Sequence, residues 1–139
     1  MGITSACGDR SVSEINGPDG KVLQLEKDDL LVLVSDFQPQ YRPGDRIAVT
    51  VLINNQSSRF ATARIRTRLL GRGQQAVVEA EVASVNIRPM DATPTERALA
   101  LPTNLPTGDY TLQVELPPWS FEGRQAGGGS LSTAVKVVP

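Results

Sequence analysis

The sequence predicts an all-β fold, and two observations carry this prediction. Apolar residues alternate with polar ones along most of the chain, which is the period of a half-buried strand. Turn-forming residues interrupt the alternation about every 8 to 14 residues, as in sandwiches and barrels. The connections are too short for crossovers, so we expect seven or eight antiparallel strands in one β-sandwich.

The first half of the chain contains the clearest strand. Residues 22–25 form a short candidate strand, and Leu30–Ser35 is apolar enough to be buried on both faces. Proline and glycine at 43 and 44 mark a turn. After that turn the inward row is predicted to be Ile47, Val49, Val51 and Ile53.

The second half continues the pattern. Residues 61–69 alternate, with Arg64, Arg66 and Arg68 on the outward side. Residues 75–87 are predicted to form a long strand that bends near Ser84, although their alanine and glutamate content also suits a helix. A loop over 89–94, a short strand over 97–101 and a strand over 110–116 follow. Two prolines end the last of these, and a glycine-rich loop over 119–130 leads to a closing strand over 131–137.

Composition narrows the function. The 139 residues, the usual size of one domain, include no histidine and one cysteine. Ser-His-Asp and Cys-His catalysis, an intrachain disulfide and a cysteine-based metal cluster are therefore excluded. A net charge of −1 and 4% aromatic residues argue against nucleic acid as a partner. The sequence predicts no catalytic residue, no metal and no cofactor, and an enzyme using two carboxylates remains a formal alternative.

Residues 1–20 differ from the rest, because they are small, polar and aperiodic. We expect a flexible amino-terminal tether over 1–20, followed by one domain over 21–139. Residues 4–9 (TSACGD) resemble the end of a bacterial lipoprotein signal peptide. That resemblance implies a lipid on Cys7 and an extracytoplasmic location, in the periplasm or at the cell surface. The alternative is an incidental exposed cysteine in a flexible arm.

Two motifs resemble bacterial immunoglobulin-like adhesion and accessory modules. Residues 41–55 (YRPGDRIAVTVLINN) are similar to the opening strand of that family, and residues 105–114 (LPTGDYTLQV) to its penultimate strand. The resemblance, over roughly residues 30–138, implies an immunoglobulin-like antiparallel β-sandwich. It also implies that Tyr110 is a tyrosine-corner residue whose hydroxyl bonds a nearby backbone group.

A basic stripe is the first candidate interaction site. Arg64, Arg66 and Arg68 lie at alternate positions on one strand face, where they suit an acidic partner, lipid headgroups or a polyanion. Cross-strand pairing with Glu79, Glu81 or Glu115 would account for the same pattern, as would protection of a sheet edge.

The second candidate lies in the glycine-rich loop. An exposed Trp119 with Phe121 would be an anchor for a protein or a platform for a sugar ring. Alternatively, Trp119 folds back and caps one end of the sandwich. The run of three glycines at 127–129 is interpreted as a flexible hairpin connection, because it lacks the lysine and the strand–helix context of a phosphate loop.

These observations favour a non-enzymatic, extracytoplasmic protein-interaction module. It would be a membrane-tethered accessory or structural subunit of a larger assembly, held by Cys7 or by its protein partners. The alternative is a carbohydrate-binding accessory domain that uses Trp119, Phe121 or Tyr41.

Overall fold

A computed structural model describes residues 11–17 and 20–139, with side chains described from Val22 onward. Within these residues the chain forms thirteen strand segments and no helix. The strands of the first half are β1 (Ser11–Gly17), β2 (Gly20–Lys27), β3 (Leu30–Ser35), β4 (Gln40–Tyr41), β5 (Arg46–Asn55) and β6 (Ala61–Leu70). Those of the second half are β7 (Ala76–Glu79), β8 (Ala83–Ile87), β9 (Ala92–Ala100), β10 (Gly108–Leu116), β11 (Ser120–Phe121), β12 (Arg124–Gln125) and β13 (Gly129–Val137).

The strands form two sheets that face each other. Sheet I has the order β1-β2-β3-β5-β9. Sheet II is centred on β6: β10, β13, β4 and the short strands β11 and β12 lie on one side of it, and β7 and β8 lie on the other. All pairings are antiparallel except that of β4 with β13. The chain changes sheets between β3 and β4, and this arrangement confirms the predicted immunoglobulin-like antiparallel β-sandwich.

Alternation places the core as the sequence predicts. On β5 the inward row from Ile47 to Ile53 is buried, and on β6 the row from Ala61 to Leu69 is buried opposite it. Apolar burial of this kind is the main stabilising contribution to folding. The largest fully buried side chains are Trp119, Phe121, Leu23, Leu25, Leu30, Ile47, Ile53, Ile65, Leu69, Ile87, Leu99 and Leu112.

The number and bounds of the strands differ from the prediction. Residues 11–17, assigned to the tether, form β1, because the chain reverses between Gly17 and Gly20 and the two segments pair along their length. Residues 92–94, assigned to a loop, begin β9. Pro94 is compatible with that strand because β9 is an edge of sheet I, where the missing N–H can face away from the ladder.

Residues 75–87 form extended structure and no helix, as the sequence predicted. They divide into β7 and β8, with the interruption at residues 80–82 and not at Ser84. Both pieces pair with β6, and the N–H of Ala80 still donates to the carbonyl of Thr67 at 3.0 Å. The irregularity is therefore a local break in one edge strand.

Candidate interaction faces

The arginine stripe lies on the outer face of sheet II. Arg66 Nη1 is 3.3 Å and Arg68 Nη2 is 3.5 Å from Glu115 Oε1 on the neighbouring strand β10. Arg68 Nε also donates to Gln113 Oε1 at 3.1 Å. Two of the three arginines therefore form cross-strand ion pairs within the sheet, as the cross-strand interpretation predicted. Of the three candidate acids, the partner is Glu115. Edge protection does not apply, because β6 is flanked on both sides.

Arg64 is the member of the stripe that remains free. Its side chain is exposed, it is in register with Ser84, and it contacts no acid within the described part of the chain. Arg66 and Arg68 share the single carboxylate of Glu115, and the attraction that such exposed arginines exert is weak and screened by salt. The stripe is thus a mixed polar face and not a concentrated basic patch.

Trp119 and Phe121 are buried, with exposed fractions of 1% and 2%. After Pro117 and Pro118 end β10, the chain returns to β6 as β11, and the carbonyl of Trp119 accepts from the N–H of Ala126 at 2.8 Å. Of the two interpretations, folding back onto the sandwich is the one observed. Tyr41 is 7% exposed, so the three aromatic residues considered for sugar binding offer no open ring face.

The glycine run is a packing contact and not a flexible connection. A Cβ on Gly128 would lie 2.5 Å from the carbonyl oxygen of Leu116, and one on Gly129 would lie 2.7 Å from Cδ2 of Leu25. Lys27 Nζ donates to the carbonyl of Gly128 at 2.8 Å. The glycines allow this segment to lie directly against β2 and the end of β10.

The outer face of sheet I carries a contiguous set of apolar side chains, which we call the apolar strip. Its members are Leu31 and Leu33 on β3, Leu52 on β5 and Pro94 on β9. Leu33 lies directly opposite Leu52, and Leu52 lies opposite Pro94. The three leucines are half-buried, and no described element packs over this face.

The strip was missed because Leu30–Ser35 was expected to be buried on both faces. The structure corrects that expectation: Leu30, Val32 and Val34 enter the core, whereas the odd-numbered residues face outward. The available signal was Leu52, an apolar residue in the outward register of the otherwise clearly alternating β5.

An acidic edge borders the strip. Asp36 Oδ2 accepts a hydrogen bond from Thr50 Oγ1 at 2.6 Å, and Glu96 is the register partner of Thr50 on β9. These residues help to line an open depression of about 610 Å³, whose lining includes the small residues Ala48 and Ala98. Arg46 also lines it.

Arg97 closes the side of the sandwich where β9 faces the break in the opposite edge strand. It shares the inner register with Val49, and its Nη2 donates to the carbonyl of Glu81. Its Nε is buried without a partner. An inward-pointing charge on an edge strand disfavours the addition of another strand there.

Within residues 11–17 and 20–139, no group of three acidic, cysteine or histidine side chains is arranged to hold a metal ion. No helix of this part of the chain is long and apolar enough to cross a bilayer. Cys7, the predicted site of lipid attachment, lies outside the described residues.

Comparison with known proteins shows the fold alone. No protein-family model and no curated protein matches the sequence. A β-glucosidase from Listeria innocua is similar over 78% of this chain and 16% of its own, with 14% identity and a TM-score of 0.58. A family 123 glycoside hydrolase from Clostridium perfringens is similar over 71% and 22%, with 10% identity and a TM-score of 0.55.

A third similar structure is red sea bream transglutaminase, which matches over 81% of this chain and 17% of its own, with 12% identity and a TM-score of 0.52. The chain thus spans about a fifth or less of the length of these three proteins. At these identities the likeness concerns the β-sandwich and not the activity.

Proposed function

We propose that this protein is a non-enzymatic protein-interaction module, an accessory or structural subunit of a larger assembly. The observation that carries the proposal is the apolar strip, because Leu33 and Leu52 stand side by side on an outer sheet face with no described element over them. Contiguous apolar surface of this kind is characteristic of interaction sites.

The similar structures support this proposal at the level of organisation. In each of the three, the matching region is a small fraction of a longer chain. A sandwich of this shape is therefore used there as one part of a larger protein. An accessory role requires the same property, a folded unit with one face available for packing.

We further propose that the module is membrane-tethered and extracytoplasmic. This part of the proposal rests on Cys7. Strand β1 begins beside the end of β2, so the chain enters at the end of the sandwich that carries Asp28 and Asp29. Ser11 follows Cys7 by four positions in the sequence, a reach of at most about 14 Å for an extended chain. A lipid on Cys7 would therefore hold this end of the domain near the membrane.

Anchoring is tested on the full-length protein in its native host. Metabolic labelling with a fatty-acid analogue should mark the wild type and not Cys7→Ser, and the wild type should partition into detergent. An unlabelled wild type would remove the membrane tether while leaving the interaction module in place.

The three aromatic residues that the carbohydrate-binding alternative uses, Trp119, Phe121 and Tyr41, are all buried. The module itself is tested by gentle-detergent affinity purification of the tagged full-length protein, followed by mass spectrometry. Stoichiometric co-purifying proteins are expected. Recovery of the protein alone, together with binding on a glycan array, would replace this proposal with the carbohydrate-binding alternative.

A further inference from the structure

We infer that the apolar strip docks a folded protein domain whose surface presents apolar side chains next to a lysine or arginine. This inference rests on the proposed function, because it names the partner surface that the module recognises. It follows from the contrast between the two outer faces, the charges beside the strip and the size of the strip.

The two outer faces of the sandwich differ in chemistry. The face of sheet II around Arg66 and Arg68 is polar, and both arginines pair with Glu115 on the neighbouring strand. The face of sheet I instead presents Leu31, Leu33 and Leu52 at three neighbouring positions. Covering these half-buried leucines removes apolar surface from water, which favours docking. Phe60, Val77, Val82 and Met90 are also exposed, but the three leucines of the strip lie together on adjacent paired strands.

The charges beside the strip select the partner. Asp36 and Glu96 flank Thr50, one pleat from the Leu33–Leu52 pair. A partner that covers the leucines brings its own side chains over these carboxylates, and a lysine or arginine there gains a charge-assisted contact. Anionic lipid headgroups would be repelled by the same pair.

A second copy of this chain does not supply that cation. In a two-fold dimer whose axis runs along the strands, the acidic edges of the two copies would meet each other; with the axis across the strands, the acidic edge of one copy would meet the opposite end of the strip of the other. That end carries Glu26 and Asn54, beside Leu31. Arg46 lies four residues before Thr50 on β5, about 13 Å from it, so it would face the partner's own Arg46 in the first arrangement and lie far from the partner's acidic edge in the second.

The strip is also small for a free-standing complex. Three strands about 4.8 Å apart and about three residues of 3.3 Å each cover on the order of 150 Å². A stable interface takes about 800 Å² from each partner. The strip is therefore one contact among several, which suits a subunit that is also held by an anchor or by neighbouring subunits.

The experiment uses tagged full-length protein, purified in gentle detergent, with quantitative mass spectrometry of what co-purifies. The strip variant carries Leu33→Gln and Leu52→Gln. The matched control carries Ser132→Gln and Ala134→Gln, two exposed positions on the outer face of sheet II. Thermal unfolding of each variant establishes that it is folded. We expect recovery of the partner with the strip variant to fall at least tenfold, whereas recovery with the control stays at the wild-type level.

The charge requirement is tested separately. Glu96→Lys should reduce recovery of the same partner severalfold, whereas Glu79→Lys, an exposed acid on sheet II, should not. A photo-crosslinking residue at position 33 should attach to a partner surface in which apolar residues adjoin lysine or arginine.

The outcomes are distinguishable. If no protein co-purifies with the wild type, the proposed function fails and the inference fails with it. If a partner co-purifies equally with wild type, strip variant and control, the module stands and the docking face is wrong. A crosslink to a second copy of this chain, to lipid or to an acidic protein surface would also overturn the inference.

Discussion

Tyr110 donates its phenolic hydrogen bond to the carbonyl oxygen of Pro106, four residues earlier, at 2.6 Å. The bond ties the beginning of β10 to the connection that precedes it. This is the tyrosine-corner contact implied by the family resemblance, and it fixes how the chain re-enters sheet II.

Tyr110→Phe should lower the free energy of unfolding by about 0.5–1.5 kcal/mol, the usual net value of one hydrogen bond. The ring and its packing are kept, so the loss reports the hydroxyl alone. Chemical denaturation measures it. An unchanged midpoint and slope would mean that the bond contributes nothing to stability.

Asn55 is fully buried, and its amide organises the loop at one end of the sandwich. Its Nδ2 donates to the carbonyls of Arg59 at 2.7 Å and Ile87 at 3.1 Å, and its Oδ1 accepts from the N–H and hydroxyl of Ser57. Asn55→Ala removes all four bonds and should cost about 2–4 kcal/mol, because buried carbonyls lose their donor.

The neighbouring Asn54→Ala is the control for that measurement. Asn54 is half-buried on the outer face. Its replacement by alanine should change the unfolding free energy by less than about 0.5 kcal/mol. Equal losses for the two variants in urea titrations would contradict the role assigned to the Asn55 amide.

Gly128→Ala tests the close approach of the glycine segment. The added methyl would lie 2.5 Å from the Leu116 carbonyl oxygen and 3.0 Å from backbone atoms of Pro117 and Pro118. The backbone must shift, so we expect a lower melting temperature, corresponding to about 1–3 kcal/mol.

Gly127→Ala is the matched comparison. There the methyl meets the end of the Lys27 side chain at 3.1 Å, and this flexible end can shift at the cost of at most its one hydrogen bond to the Gly128 carbonyl. Its melting temperature should stay within a few degrees of wild type, about 1 kcal/mol or less. If both substitutions are tolerated, the segment is not the rigid contact described above.

Alternation was sufficient to predict the sandwich and the inward rows of β5 and β6. It depends on one property, the period of two, which holds wherever one sheet face is solvated. It could not place the break at residues 80–82, because that irregularity arises from pairing with β6, a long-range contact. Nor could it predict β1, whose pairing with β2 depends on the reversal between Gly17 and Gly20.

The site residues were harder to predict for the same reason. An arginine pattern does not reveal that Glu115 lies on the adjacent strand. A tryptophan beside prolines is typical of an exposed loop, and only the pairing of β11 with β6 shows that this one is buried. The apolar strip joins residues from three strands that are distant in sequence. Its members become a surface through the register of β3, β5 and β9.

Arg97 makes two core positions on β5 differ in their response to a new charge. Val51 is fully buried, so Val51→Asp should cost more than about 4 kcal/mol and unfold the domain. Val49 is also buried, but it lies opposite Arg97, whose Nε has no partner. Val49→Asp gains a counter-ion and should be measurably less destabilising in thermal melts.

The double variant Val49→Asp with Arg97→Met separates this pairing from simple tolerance. Without the guanidinium the carboxylate at position 49 should become as damaging as that at position 51. Ala48→Asp, exposed on the outer face, should leave the domain folded. If Arg97→Met does not worsen Val49→Asp, the two side chains do not interact.

Tyr41 makes stability depend on alkaline pH. Burial raises the pKa of its phenol above the ordinary 10.0, the negative charge of Asp45 adds to this, and the hydrogen bond from the Gln38 N–H, at 2.6 Å, opposes it. The folded state thus keeps its proton to a higher pH than the unfolded state. The contribution of the protonated Tyr41 phenol to the free energy of unfolding is fully present below pH 10, and it is lost as the pH rises through the pKa of the folded state.

Tyr41→Phe should therefore show a shallower loss of unfolding free energy between about pH 9 and pH 11, measured by urea titration beside wild type. At neutral pH the variant should be less stable by about 1 kcal/mol, because the Gln38 N–H loses its acceptor. All other titratable groups are common to both proteins, so their effect cancels in the difference. Parallel curves would show that the Tyr41 proton is equally easy to remove in the folded and unfolded states.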